Sequence, residues 1–253
     1  MLRIVPPSQF CNLLPSRKIR TSFYNFRYCA HAFGTATAVK HDNSVQHHGK
    51  VLSSAREALQ RVPSLRGIQV AVGGFGLGGN PETLLDELSK DNRASDLTVA
   101  SLTGGTDGHG VGLLLEANKV KRLIASYVGE NKHLESTFFG GELEIELTPQ
   151  GTIAQRLYAA GAGIPAFFTP TGAGTIYAKG GIPIKYKHNS GKQPGEVEIE
   201  SPPRVVQEFD GIEYVMELAL KTDLSLVKAW KADTRGNLIF RGTAQNSNPD
   251  AGE

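Results

Sequence analysis

Between Gln69 and Phe168, short apolar runs alternate with stretches of helical periodicity, and that alternation admits few folds. Gln69–Val72, Leu97–Leu102, Arg122–Val128, Leu143–Leu147 and Pro165–Phe168 read as strands, each short and apolar. Helical patterns fall at 81–91, Val111–Asn118, His133–Phe139 and Thr152–Ala160. An earlier one, Lys50–Val62, puts Val51, Ala55, Ala58, Leu59 and Val62 on one face. Asn80 is a good N-cap for the helix at 81–91, and Pro81 suits its first turn. Strands separated by helices predict an α/β fold: a mainly parallel open sheet with helices on both faces. Glu144 and Glu146 alternate with apolar residues, which predicts one wet face on that strand. After Gly180 the texture changes. Ile182–Tyr186, Val197–Ser201 and Arg204–Phe209 predict a small antiparallel lobe near 182–209. Leu224–Ala232 and Asn237–Arg241 read as two last strands around a turn at Asp233–Gly236.

Charge divides the chain. Residues 1–41 hold six basic and no acidic residues, against 21 basic and 25 acidic in the remainder. A basic, acid-free head with Ser and Thr predicts a mitochondrial transit peptide over 1–41 and a matrix location. Residues 42–49 read as a polar linker, 50–248 as one folded domain and 249–253 as a tail. The mildly acidic body gives no footprint for nucleic acid. No apolar run approaches the ~18 residues of a membrane span. Both cysteines, Cys11 and Cys29, lie in the head, so no disulfide or cysteine metal site is expected in the body. His41, His47 and His48 have no spaced carboxylate or cysteine partner, and no metal is expected.

The strand Gln69–Val72 runs into Gly73-Gly74-Phe75-Gly76-Leu77-Gly78-Gly79, then into the helix begun by Asn80-Pro81. Such a loop lets backbone N–H groups approach an anion closely. Gly74, Gly76 and Gly79 fit G-x-G-x-x-G literally. A dinucleotide site also needs an acidic residue at the end of the second strand, where Ser101-Leu102-Thr103 has none. A nicotinamide or flavin role is therefore disfavoured. Tight packing alone is a second explanation for these glycines.

The segment Val70 to Pro81, with its apolar triplet, Gly-Gly-Phe, and then a Gly-x-Pro, resembles the signature of family I CoA-transferases. Further stretches are similar to the succinyl-CoA:3-oxoacid (3-ketoacid) CoA-transferases, in their N-terminal or A-type half. They are Ser126 to Asn131, Gly141 to Thr152, Gly161 to Gly172, and Leu226 to Asp233, in the same order. The likeness covers about 50–248. It implies a reaction in which a glutamate attacks the acyl-CoA thioester and passes CoA from succinyl-CoA to acetoacetate in ketone-body breakdown. In the family that glutamate lies in a Ser-Glu-Asn-Gly motif of a B-type half. The motif does not occur here, and Glu130-Asn131 is not a substitute because Lys132 follows. The implied partner is a B-type half or a homologous full-length enzyme. CoA thioester is a substrate, and no cofactor is implied.

The resemblance places Gln150, in Thr-Pro-Gln-Gly, at the active site as an amide donor to the oxyanion. It also assigns substrate binding to Gly73, Gly74, Phe75, Gly76 and Gly79. Where the family has Asn-Asn after Ser101, this chain has Leu102 and Thr103, and leucine offers no side-chain donor. Gly108 and His109 replace the usual Asn and Phe. A non-catalytic truncated form or scaffold of the same family is the alternative expectation.

Overall fold

The computed structural model describes residues 28–31, 50–129, 131–188 and 193–252. The expected linker 42–49, Glu130 and the three linker-region histidines lie outside the described residues. Six parallel strands form the main sheet: β1 (Tyr28–His31), β2 (Gln69–Val72), β3 (Leu97–Ala100), β4 (Val120–Ala125), β5 (Glu144–Leu147) and β11 (Leu224–Val227). Their order is β1-β11-β2-β3-β4-β5. Tyr28–His31, inside the segment expected as a transit peptide, pairs with Leu224–Val227.

The strands alternate their side chains between two apolar layers. Val70, Val72, Val99, Leu123, Leu224 and Leu226 join the larger core. Leu84, Leu85 and Leu88 from α2 (Glu82–Lys90) complete it, with α1 (Ala55–Gln60), α3 (Gly112–Glu116) and α4 (Lys132–Phe139). Ala71, Ala100, Ile124 and Val227 point to the other face, where Ile153 and Leu157 of α5 (Gln150–Gly161) meet Ala251 of α7 (Asn248–Gly252). Helices thus cover both faces, as the alternation predicts. Local caps agree: Ser54 accepts from Glu57 N at 3.1 Å and Asn131 from Leu134 N at 2.8 Å. Asn80 does not cap. Pro81 takes the cap position, and the Asn80 amide donates to Gly76 O at 2.9 Å.

Antiparallel pairing occurs near 182–209 as expected, but in two small sheets rather than one lobe. β6 (Ala166–Thr169) leaves the main sheet and pairs antiparallel with β10 (Ile212–Leu218), a strand absent from the sequence reading. β9 (Val206–Phe209) completes that sheet, in the order β6-β10-β9. Residues 182–209 are split, because β7 (Pro183–Tyr186) and β8 (Val197–Glu200) form a separate hairpin. Leu224–Ala232 is not one strand either. It breaks after Val227, and β12 (Lys231–Ala232) pairs with β13 (Leu238–Ile239). Residues 249–252 of the expected tail lie in α7, with Ala251 buried, and Glu253 lies outside the described residues.

Glu144 and Glu146 are not on a wet face. Arg122 Nε donates to Glu144 at 2.6 Å and Arg156 to Glu146 at 2.9 Å. The same chain of charges continues to the lobe. Arg156 Nε lies 3.9 Å and Arg204 Nε 2.9 Å from the buried Glu217 carboxylate, which also accepts from Tyr177 Oη at 2.7 Å. Arg204 lies 3.7 Å above the ring of Tyr177, on the short α6 (Ile176–Lys179). Burial first, and the Glu217 bond next, push the Tyr177 hydroxyl pKa well up. Among the described residues, no helix is long and apolar enough to cross a membrane.

Candidate functional site

A parallel sheet brings all its strand exits to one edge, and ligands of open α/β sheets bind there. At this carboxyl edge the glycine loop follows β2. Phe75 and Gly78 exchange backbone hydrogen bonds at 2.9 Å each way, which closes a tight tip. Phe75 and Leu77 stand exposed on it.

The base of the loop is packed against the C-terminal segment. Ser247 Oγ accepts from Gly74 N at 3.1 Å and donates to Gly74 O at 2.9 Å. Asn246 Nδ2 donates to Gly78 O, and Asn248 Nδ2 to Gly79 O, both at 2.9 Å. Asn248 Oδ1 accepts from Lys228 N at 2.8 Å, tying the exit of β11 to the same knot. A Cβ at Gly73 would sit 2.7 Å from Asn248 Cγ, and one at Gly79 2.9 Å from Ala244 Cα. These two glycines admit the close approach of residues 244–248. Asn246, Ser247 and Asn248 were missed by sequence reasoning. Their only signal is a polar cluster of short side chains, far along the chain from the loop. Nearby, burial pushes the carboxyl of Asp250 upward.

Beyond β3, Leu102 turns its side chain into the smaller core. Its carbonyl accepts from Ser126 N at 3.2 Å and Ser126 Oγ at 2.7 Å. Leu102 therefore offers the edge no polar side chain because it is a packing residue. Thr103 pairs with Tyr127 as an isolated parallel bridge. His109 lies exposed in the turn Thr106–His109, and Gly110 N beside it donates to the Glu82 carboxylate at 3.0 Å.

Gln150 is the first residue of α5 and exposed, at the exit of β5. Pro149 at the cap has no side-chain bond to give, so the first N–H groups of α5 are uncapped by any side chain. The hydroxyls of Thr148 and Thr152, on either side, are buried without a hydrogen-bond partner. Gln150 shares the carboxyl edge with the glycine loop. It is not beside it: β2 and β5 are three strand spacings apart, roughly 14 Å. A cavity of about 360 Å³, lined by Asp96, Val120, Lys121, Glu142 and others, opens at the opposite, amino edge. Among the described residues, no group of three or more His, Cys, Asp or Glu is placed to hold a metal.

Parallel strands with a glycine loop and a helix start at their carboxyl ends define an α/β protein with a ligand edge. The family model for coenzyme A transferase matches residues 53–253. The chain belongs to the coenzyme A transferase family, as the motifs imply. It is 48% identical over 201 residues to the A-type polypeptide of the probable succinyl-CoA:3-ketoacid coenzyme A transferase of Mycobacterium bovis, covering 79% of this chain and 78% of that one. It is 50% identical over 182 residues to the mitochondrial succinyl-CoA:3-ketoacid coenzyme A transferase 2 of Homo sapiens, covering 72% of this chain and 34% of that one. The chain thus spans about a third of the human relative's length. Among solved structures, the acyl-CoA transferase apoenzyme of Escherichia coli O157:H7 superimposes with a TM-score of 0.59 at 25% identity, covering 74% of this chain and 36% of that one.

Proposed function

We propose that this chain is the A-type half of a CoA-transferase that moves CoA from succinyl-CoA to a 3-oxo acid, with acetoacetate as acceptor. The observation that carries the reading is the match to a relative named as the A-type polypeptide of such an enzyme, 48% identical over 79% of this chain and 78% of that one. An A-type polypeptide calls for a B-type one. In this reading the B-type half supplies the nucleophilic glutamate, which attacks the thioester to give an acyl–enzyme anhydride. CoA then returns to form a glutamyl–CoA thioester as the free acid leaves, and acetoacetate enters for the reverse sequence. The A-type half contributes donors. The Gln150 amide, together with the N–H groups of the first turn of α5, meets the negative charge that develops on the thioester oxygen. The tip of the glycine loop serves the same carboxyl edge from the β2 side. The basic head and the mitochondrial relatives support a matrix location, although bacterial relatives are equally similar.

The second reading, a non-catalytic form of the family, is favoured by Leu102, whose side chain is core where a donor is usual. Formation of acetoacetyl-CoA from succinyl-CoA and acetoacetate, followed spectrophotometrically with and without a B-type half, separates the two. Turnover only with the partner is the expected result. No turnover in either mixture, with the chain folded, overturns the transferase reading.

A further inference from the structure

Two glycine-rich loops stand next to each other at the carboxyl edge, one after β2 and one after its sheet neighbour β3. Each passes through several residues of positive φ: Gly74, Gly76 and Gly79 in the first, Gly105, Gly108 and Gly110 in the second. Backbone of this kind loses much entropy on ordering and is readily loosened. The tip of the second loop is closed by short-range bonds, His109 N to Thr106 O at 3.1 Å and Gly108 N to the Glu116 carboxylate at 2.7 Å. Neither bond reaches the first loop.

Asn80 and Glu82 tie the two together. Asn80 is buried and wedged between the loops. A Cβ at Gly74 would lie 3.1 Å from its Cα, and one at Gly110 3.1 Å from its Nδ2. That nitrogen donates to Gly76 O at 2.9 Å and to Glu82 Oε1 at 3.2 Å. Gly110 N donates to Glu82 Oε1 and Oε2 at 3.1 and 3.0 Å. Three links therefore run from one loop to the other: Gly76 to Asn80, Asn80 to Glu82, and Glu82 to Gly110. A backbone N–H on a carboxylate is a charge-assisted bond, stronger than a neutral one. Glu82 lies in the first turn of α2, whose Leu84, Leu85 and Leu88 are set in the larger core, so the anchor itself is rigid.

We propose that Asn80 and Glu82 are positioning residues. They lock the Thr106–Gly110 turn to the glycine loop, so that the two loops meet the acyl-CoA as one preformed wall. The inference rests on the CoA-transferase reading and adds to it the pair that orders this edge before substrate arrives. Without the pair, every binding event must also order two glycine-rich segments. That cost falls on substrate affinity rather than on the chemical step.

Hydrogen–deuterium exchange of the full chain reads the lock without any partner. Glu82→Ala should speed exchange about tenfold in the peptides over 73–80 and 104–112 together, and leave β2, β3 and the later turns of α2 unchanged. Glu82→Gln should restore most of the protection, because a single oxygen at the Oε1 position can accept from both Asn80 and Gly110. Asn80→Asp keeps the shape and removes the donor. It should loosen both loops in the same way, and it serves if Glu82→Ala does not fold. With a B-type half, Glu82→Ala should raise KM for succinyl-CoA about tenfold and change kcat by less than about twofold. Glu82→Gln should bring KM back. A residue that only stabilised the fold would lower the melting temperature and leave KM alone. Faster exchange in one loop only, or in neither with both variants, overturns the proposal. So does an unchanged KM in Glu82→Ala. Coupled loosening in a chain inactive with every partner sinks the transferase reading alone, and turnover with an unchanged KM sinks this one alone.

Discussion

Gly73→Ala tests the knot that holds the glycine loop. The added methyl would fall 2.7 Å from Asn248 Cγ and 3.0 Å from Asn248 Cα. Asn248 cannot step aside freely, because it is fully buried and holds Lys228 N, Gly79 O and Ala244 O at 2.8, 2.9 and 2.9 Å. Overpacking at a rigid site costs about 1–3 kcal/mol, and each hydrogen bond lost by a displaced Asn248 about 1 kcal/mol more. The expected cost is about 3 kcal/mol in urea unfolding. Asn248→Ala alone should also cost about 3 kcal/mol, from three bonds lost and the buried Gly79 carbonyl left without its donor. The double variant should cost clearly less than the sum, because the methyl then meets no amide. The coupling expected is about 1–2 kcal/mol. Strict additivity, or a Gly73→Ala cost below about 0.5 kcal/mol, would refute the reasoning that this glycine exists to admit Asn248.

Glu217→Ala leaves Arg204 and Arg156 without their shared carboxylate in a site where the Glu217 side chain is 4% exposed. A loss of about 3–5 kcal/mol in thermal or urea unfolding is expected, and a loss below ~1 kcal/mol would show that water already screens the network. Asp250 has a folded pKa raised by burial, so its contribution favours folding below the usual carboxylate range and is lost as pH rises through the folded value. Asp250→Asn should therefore raise the melting temperature at pH 7 and bring no gain near pH 3; equal shifts at both would refute the assignment. With a B-type half present, Gln150→Ala should lower kcat by about 10²-fold with little change in KM for acetoacetate. A change in KM alone would make Gln150 a binding residue.

The parallel sheet was legible because each strand is a short apolar run, and a strand buried on both faces needs little else. The same signature misled at Ala166–Thr169. Its apolar residues look like another central strand, but β6 pairs antiparallel with β10. β10 itself was hidden because Glu213 and Glu217 interrupt its pattern, and Glu217 is buried only by virtue of arginines distant in sequence. The break after Val227 has no local marker, since Lys228-Ala229-Trp230 is as compatible with a strand as with a bend. α7 is too short to show a period. At the site, the glycine loop was visible from its composition. What fills it was not, because a close approach between Gly73 and Asn248 leaves no spacing to read. Gln150 became legible only through the family resemblance, because a Pro-Gln pair at a strand end marks a helix start and nothing more.

β11 lies between β1 and β2, yet it is made last of the six. On the ribosome, β2 emerges and then waits roughly 150 residues for the strand that covers its open side, on the order of 10–30 s of synthesis. Through that interval the backbone groups of Val70, Ala71 and Val72 that β11 later pairs have no strand beside them, the kind of edge that recruits other chains. The central strand of the finished sheet is thus the exposed margin of the nascent one. The yield of soluble chain should depend on what shields β2 until residue 224 arrives.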